Sequence, residues 1–153
     1  SNNSFRSENT RLTRAQHCEG SCSDSDPCVN VSTTIVCTYE VPINVDLPNL
    51  STMSLNECER QQAQNWIDTV LSPHEEQHRQ KFQTYNGTTR RPLTFTTCNS
   101  QAQGELDTRA EALMTSEQTT RQASAQSLSD ALDPFNFDFE INCPEEEHPD
   151  GGS

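Results

Sequence analysis

Apolar residues fall on alternate positions between Val29 and Leu47: Val29, Val31, Ile35, Cys37, Tyr39, Val41, Ile43, Val45 and Leu47, with mostly polar residues between them. A two-residue period puts these side chains on one face of an extended strand, or of two strands joined near Pro42. Pro42 and Pro48 belong at a bend, an edge or an end, where no ladder donor is needed. The period then lengthens. Ala63, Trp66, Ile67, Val70 and Leu71 recur at three and four, which is one face of a helix beginning near Ser54. His74, His78, Phe82 and Tyr85 continue that stripe by phase, so both histidines look toward the interior. Pro73 interrupts the pattern: either Ser72 caps a second helix with Pro73 at its first position, or one helix bends there. Asn86-Gly87 is a turn signal, and Leu93, Phe95 and Thr97 alternate as a short strand ending near Cys98.

A second helical pattern runs from about Gln101 to Leu132, with Leu106, Ala110, Leu113, Leu128 and Ala131 on one stripe. Glu117 and Ser124 interrupt it, which predicts a weak or broken apolar face between Leu113 and Leu128. After Pro134 the two-residue period returns in Phe135, Phe137, Phe139, Ile141 and Cys143, predicting a final strand. Residues 1–28 show no hydrophobic period and read as a polar, cysteine-containing tail or loop; residues 144–153 read as an acidic disordered tail. The order strand, helix, short strand, helix, strand over 29–143 predicts one α+β domain. Its small antiparallel sheet packs against the first helix and a second long helix.

Composition changes this picture in two ways. Hydrophobic residues make up only 30% of the 153 positions, so the core is small and cross-links matter. Seven cysteines, none in a Cys-x-x-Cys pair, read as disulfides in an oxidising setting, with one thiol left unpaired or bonded to a partner chain. Sequons at Asn2, Asn30, Asn49 and Asn86 are compatible with a secreted, extracellular protein, as is Ser1 in place of Met, which a cleaved tag would also leave. The formal net charge of −13 opposes nucleic-acid binding and attraction to anionic membranes. No apolar run approaches the roughly 20 residues of a membrane helix.

The chemically informative segment is His74-Glu75-Glu76-Gln77-His78, an H-E-x-x-H on a predicted helix. Histidines four apart project from one face a turn apart, where both imidazoles can hold one Zn²⁺. Glu75 beside them can take a proton from the water attacking a carbonyl and pass it to the leaving nitrogen. The competing reading is structural: Ser72 and Glu75 also form S-x-x-E, a capping box, and His78 would then be an ordinary half-buried histidine. Two histidines on a buried stripe favour a metal, since unpaired polar groups there are costly.

A third protein ligand is needed, with the fourth position left open. The longer metzincin signature is absent, because Arg79-Gln80-Lys81 follows His78. Glu117 is the choice on helical phase, against a competing salt bridge to Arg121; Glu105 and Glu111 lie off the stripe. His148 in the acidic tail, His17 in the amino-terminal loop, and Asp130, Asp133 and Asp138 around Pro134 remain open. Tyr85 or Arg90 could stabilise an oxyanion, although a turn at Asn86-Gly87 calls for polar neighbours in any case. Of the cysteines, only Cys18 has a histidine beside it, His17, and the oxidising setting argues against a thiolate nucleophile.

The run from Cys58 through Trp66 to Pro73-His74-Glu75-Glu76-Gln77-His78, with Val41-Pro42 and Leu47-Pro48 upstream, resembles the predicted secreted zinc-dependent proteases of bacteria. Ser129-Asp130-Ala131-Leu132-Asp133-Pro134-Phe135 is similar to an element of that family at a helix-to-strand junction. The resemblance spans roughly residues 35–143 and implies a zincin-like domain with His74 and His78 as ligands and Glu75 as base. Some relatives carry a third His near the carboxyl end, where this chain reads Phe135-Asn136-Phe137. The expectation is therefore a secreted zinc metallopeptidase, with a peptide or protein substrate lying extended along a strand edge. The alternative is a non-catalytic extracellular subunit of a surface assembly on a degraded zincin-like scaffold, contacting its next copy through the tail or the odd cysteine.

Overall fold

A computed structural model describes residues 2–133 and 139–144. Three strands, β1 (Asn2–Arg14), β2 (Cys28–Glu40) and β3 (Gly87–Cys98), form an antiparallel sheet in the order β1-β2-β3. Between β2 and β3 lie α1 (Glu57–Trp66), a π-helical turn (Ile67–Leu71) and α2 (Ser72–Phe82); α3 (Ala102–Asp130) follows β3. The α+β architecture is as the periodicities predict, and it is stapled by Cys18–Cys28, Cys22–Cys98 and Cys58–Cys143.

The alternation of β2 is real: Val29, Val31, Ile35, Cys37 and Tyr39 are buried with Phe95 of β3 and Leu106, Ala110 and Ala125 of α3. The strand stops at Glu40, however, and the alternation of Val41 to Leu47 does not form a strand. The larger correction is at the amino terminus. Residues 2–14, expected as tail, pair with β2 from Asn2↔Glu40 to Arg14↔Val29. β1 lacks a period because it is an edge strand with most of its surface in solvent, where polar residues serve as well as apolar ones. Its register shifts between Glu8 and Arg11, and Asn9 there adopts φ 54°, a left-handed conformation that asparagine tolerates and that suits a bulge. Residues 15–27 are the cross-linked loop, tied by two disulfides to the adjoining ends of β2 and β3, where Cys28 and Cys98 are register partners.

α1 begins three residues after Ser54, at a capping box in which Asn56 and Glu59 each bond the other's backbone N–H at 2.8 and 3.0 Å. Pro73 neither restarts nor sharply breaks the helix. Ser72 has helical dihedrals and makes no capping bond, and its N–H reaches back five residues to Ile67. Pro73 has no N–H, and its ring would crowd the carbonyl four residues back in a regular helix; the widened turn accommodates both. Ala63 of α1 and Ile67 at the start of that turn pack with Leu50 in a small second cluster. Beyond it, α2 presents its histidines to the end of α3.

On α3 the buried stripe runs Ala102, Leu106, Ala110, then Ala125 and Ser129. Leu128, expected on this stripe, is exposed, and Ser124 is exposed as well. The helix continues unbroken through Glu117 because that polar side chain meets matching partners on the sheet. Of the two outcomes expected for the odd cysteine, the thiol is unpaired: it is Cys37, wholly buried in the core. Of the predicted last strand, 135–138 lie outside the described residues. Residues 139–143 form no strand; Phe139 stacks on Trp66 with ring centroids 4.8 Å apart, and Asn142 bonds Gln62 in both directions. No described helix is long and apolar enough to cross a membrane.

Candidate metal centre and its cleft

Helical spacing brings His74 and His78 together, and the end of α3 completes the group. Nε2 of His78 lies 3.0 Å from Nε2 of His74, and Asp133 Oδ1 is 3.3 Å from the former and 3.4 Å from the latter. The two rings stand nearly perpendicular, at 87°. Ligand atoms around a tetrahedral zinc with bonds of about 2.0–2.2 Å lie about 3.3–3.5 Å apart, so one ion fits this triangle with little adjustment. Two imidazoles and one carboxylate are a group that could hold a metal ion, and a donor set that some zinc sites use. The His74 side chain is 8% exposed and that of Asp133 is 56% exposed, so the triangle is seated on the protein side and open on the other.

Asp133 reaches this position through a tight turn. Beyond α3 the backbone closes by Leu132 N–H to Ser129 O and Asp133 N–H to Asp130 O, at 3.1 and 3.0 Å. The carbonyl end of a helix of 29 residues favours a cation nearby. His78 is further held through Nδ1, 2.6 Å from the Ser129 hydroxyl.

The triad opens into a cleft of 540 Å³ whose walls include Ile43, Val45, Asp46, Glu75, Phe82 and Asp130. Glu75 is not spent on capping: the S-x-x-E box does not form, and among the described residues no hydrogen bond or ion pair engages its carboxylate. Neighbouring Glu76 is paired with Arg79 at 2.6 Å, which holds the Glu76 carboxyl below its ordinary range, while Glu75 lines the cleft beside the triad. No sheet edge lines this cleft, contrary to expectation. One wall is the segment 43–46, which makes no backbone-to-backbone hydrogen bonds among the described residues.

Glu117, expected as third ligand, is elsewhere. It lies 12 residues before Ser129 on the same helix, about 18 Å along the axis. Its carboxylate accepts hydrogen bonds from the Tyr39 hydroxyl at 2.8 Å, Thr89 at 2.7 Å and Arg91 Nε at 2.5 Å. Burial pushes its carboxyl up, but the bonds from Thr89, Tyr39 and Arg91 outweigh it and hold the group below the usual range. Phase alone selected Glu117 because it shares the inward stripe, and the sheet supplies its partners. The predicted salt bridge to Arg121 does not form either; that guanidinium lies over the Tyr39 ring and donates to Tyr85 O. Glu105 pairs with Arg109, and Arg90 pairs with Glu8. Tyr85 bonds Asn3 and is buried in the core, away from the cleft. Asp138 and His148 lie outside the described residues.

Asp133 was legible as one of several carboxylates near Pro134, without a signal to prefer it. The sequence sign of Ser129 is a serine on a stripe of alanine and leucine. No family model, curated protein or solved structure matches this chain, so its function is read from these residues themselves.

Proposed function

We propose that this chain is a secreted zinc-dependent peptidase in which His74, His78 and Asp133 hold the metal and Glu75 is the general base. The observation that carries the reading is the triangle of two imidazole nitrogens and one carboxylate oxygen with edges of 3.0–3.4 Å, at the floor of an open cleft lined by Glu75. A zinc ion held there would supply a Lewis acid for the scissile carbonyl and the attacking water. Glu75 takes the proton of that water and delivers it to the leaving amine as the C–N bond breaks. The backbone groups of 43–46, unpaired with other backbone, offer an extended peptide a segment to hydrogen-bond along, and Ile43, Val45 and Phe82 offer apolar contacts for its side chains. Three disulfides support an oxidising compartment, which fits a secreted protein. The assembly alternative has no support from the odd cysteine, which lies in the core; the amino-terminal segment is the edge strand β1 of the domain.

The test is metal content and hydrolysis of an unfolded protein substrate by the purified chain, beside Glu75→Gln and a His74→Ala, His78→Ala double variant. We expect about one zinc per chain in the parent and in Glu75→Gln, none in the double variant, and hydrolysis at least about 100-fold slower in Glu75→Gln. A parent that takes up no zinc on reconstitution, or a Glu75→Gln variant that hydrolyses as fast as the parent, refutes the proposal.

A further inference from the structure

The buried stripe of α3 is Ala102, Leu106, Ala110 and Ala125 until it reaches Ser129, which is 4% exposed. Alanine would pack there and is the better helix former, so the hydroxyl calls for a specific reason. Its partner supplies one: Ser129 Oγ is 2.6 Å from His78 Nδ1, on the side of the imidazole opposite the atom that faces His74 and Asp133. A neutral imidazole carries one proton. Nε2 can offer a lone pair to a metal only when that proton sits on Nδ1, and an Nδ1–H in a buried setting needs an acceptor.

We propose that Ser129 is the positioning residue of the metal centre: its hydroxyl accepts the Nδ1–H of His78, fixing the tautomer and the ring plane that aim Nε2 at the metal. This rests on the reading of His74, His78 and Asp133 as ligands. The same turn of chain also places the third ligand. Leu132 N–H bonds the Ser129 carbonyl at 3.1 Å, so Ser129 orients one ligand with its side chain and, with its backbone, anchors the turn that delivers another. The end of α3 thus sets the angle of His78 and the reach of Asp133 together. Hydrogen bonds of this kind behind a metal-bound histidine fix its orientation, and their loss weakens metal affinity by about 10- to 100-fold.

The experiment compares the full chain with Ser129→Ala in two measurements. Cobalt(II) titration, followed by its visible absorption, gives affinity; long-range ¹H–¹⁵N correlation on the metal-free protein gives the His78 tautomer. The expected result is cobalt binding in both proteins, about 10- to 100-fold weaker in Ser129→Ala, with the Nδ1–H tautomer dominant in the parent and diminished in the variant. Equal cobalt affinity, or an unchanged tautomer with weakened binding, overturns the role of Ser129 and leaves the metal centre standing. No cobalt binding by the parent overturns the metal centre and the role of Ser129 with it.

Discussion

Two carboxylates on or just beyond α3 answer to the description of a third metal ligand, and substituting each separately tells them apart. Glu117→Ala removes the acceptor for Tyr39, Thr89 and Arg91. The two hydroxyls are worth about 1 kcal/mol each. Arg91 is half exposed, so its pair adds only about 0–1 kcal/mol. The total of about 2–3 kcal/mol predicts a melting temperature about 5–10 °C lower without metal. Asp133 is 56% exposed and near the end of a helix, so Asp133→Ala should shift the metal-free value by no more than about 1–2 °C. Zinc at about 100 times its dissociation constant adds about 2.7 kcal/mol to the parent, a rise of about 5–10 °C. Differential scanning calorimetry with and without zinc should therefore show a double dissociation. Glu117→Ala starts low and keeps the full zinc-dependent rise; Asp133→Ala starts near the parent and loses the rise. A zinc response that survives in Asp133→Ala and vanishes in Glu117→Ala would refute the assignment and restore the choice made on helical phase.

Two further outcomes follow from the interior. Burial pushes the Cys37 thiol up and denies it solvent, so native protein should resist alkylation at this position, and one thiol should become reactive only on unfolding without reductant; rapid labelling in the folded state would contradict this placement. Glu117 is held below its ordinary value, so its stabilising contribution is complete above the unfolded carboxylate value of about 4.3 and is lost as pH falls through its folded value. The difference in urea midpoint between the parent and Glu117→Gln should be constant above about pH 5 and shrink below about pH 4; a difference unchanged at acid pH would dissociate Glu117 from this linkage.

Periodicity made β2 and the long α3 legible because both bury one face against the other. It missed β1, whose neighbours cover so little of it that Phe5 is its one apolar contact with the core. It overextended β2 as well: Val41, Ile43 and Val45 alternate, but they lie beyond the ladder, and Ile43 and Val45 line the cleft. At the site, H-E-x-x-H was readable since its geometry is contained in one helical turn. The carboxylate that meets the two histidines was not, because its place depends on where the chain goes after α3 ends, and that is decided by backbone bonds at Ser129 and Asp130. Phase arguments also assume an unbroken helical pitch, and the π-helical turn ahead of Pro73 inserts a residue that no apolar count reveals.

The halves of the centre are far apart in the chain: the histidines lie at 74 and 78, and the carboxylate at 133, past the whole of β3 and α3. A ribosome has therefore to release more than 50 residues after the histidines before any ion can be held by all three groups. Until then the H-E-x-x-H helix, polar apart from its end, lacks the carboxylate that faces it in the fold. The candidate centre is thus made of two pieces of chain, neither of which carries the full donor set until the fold joins them.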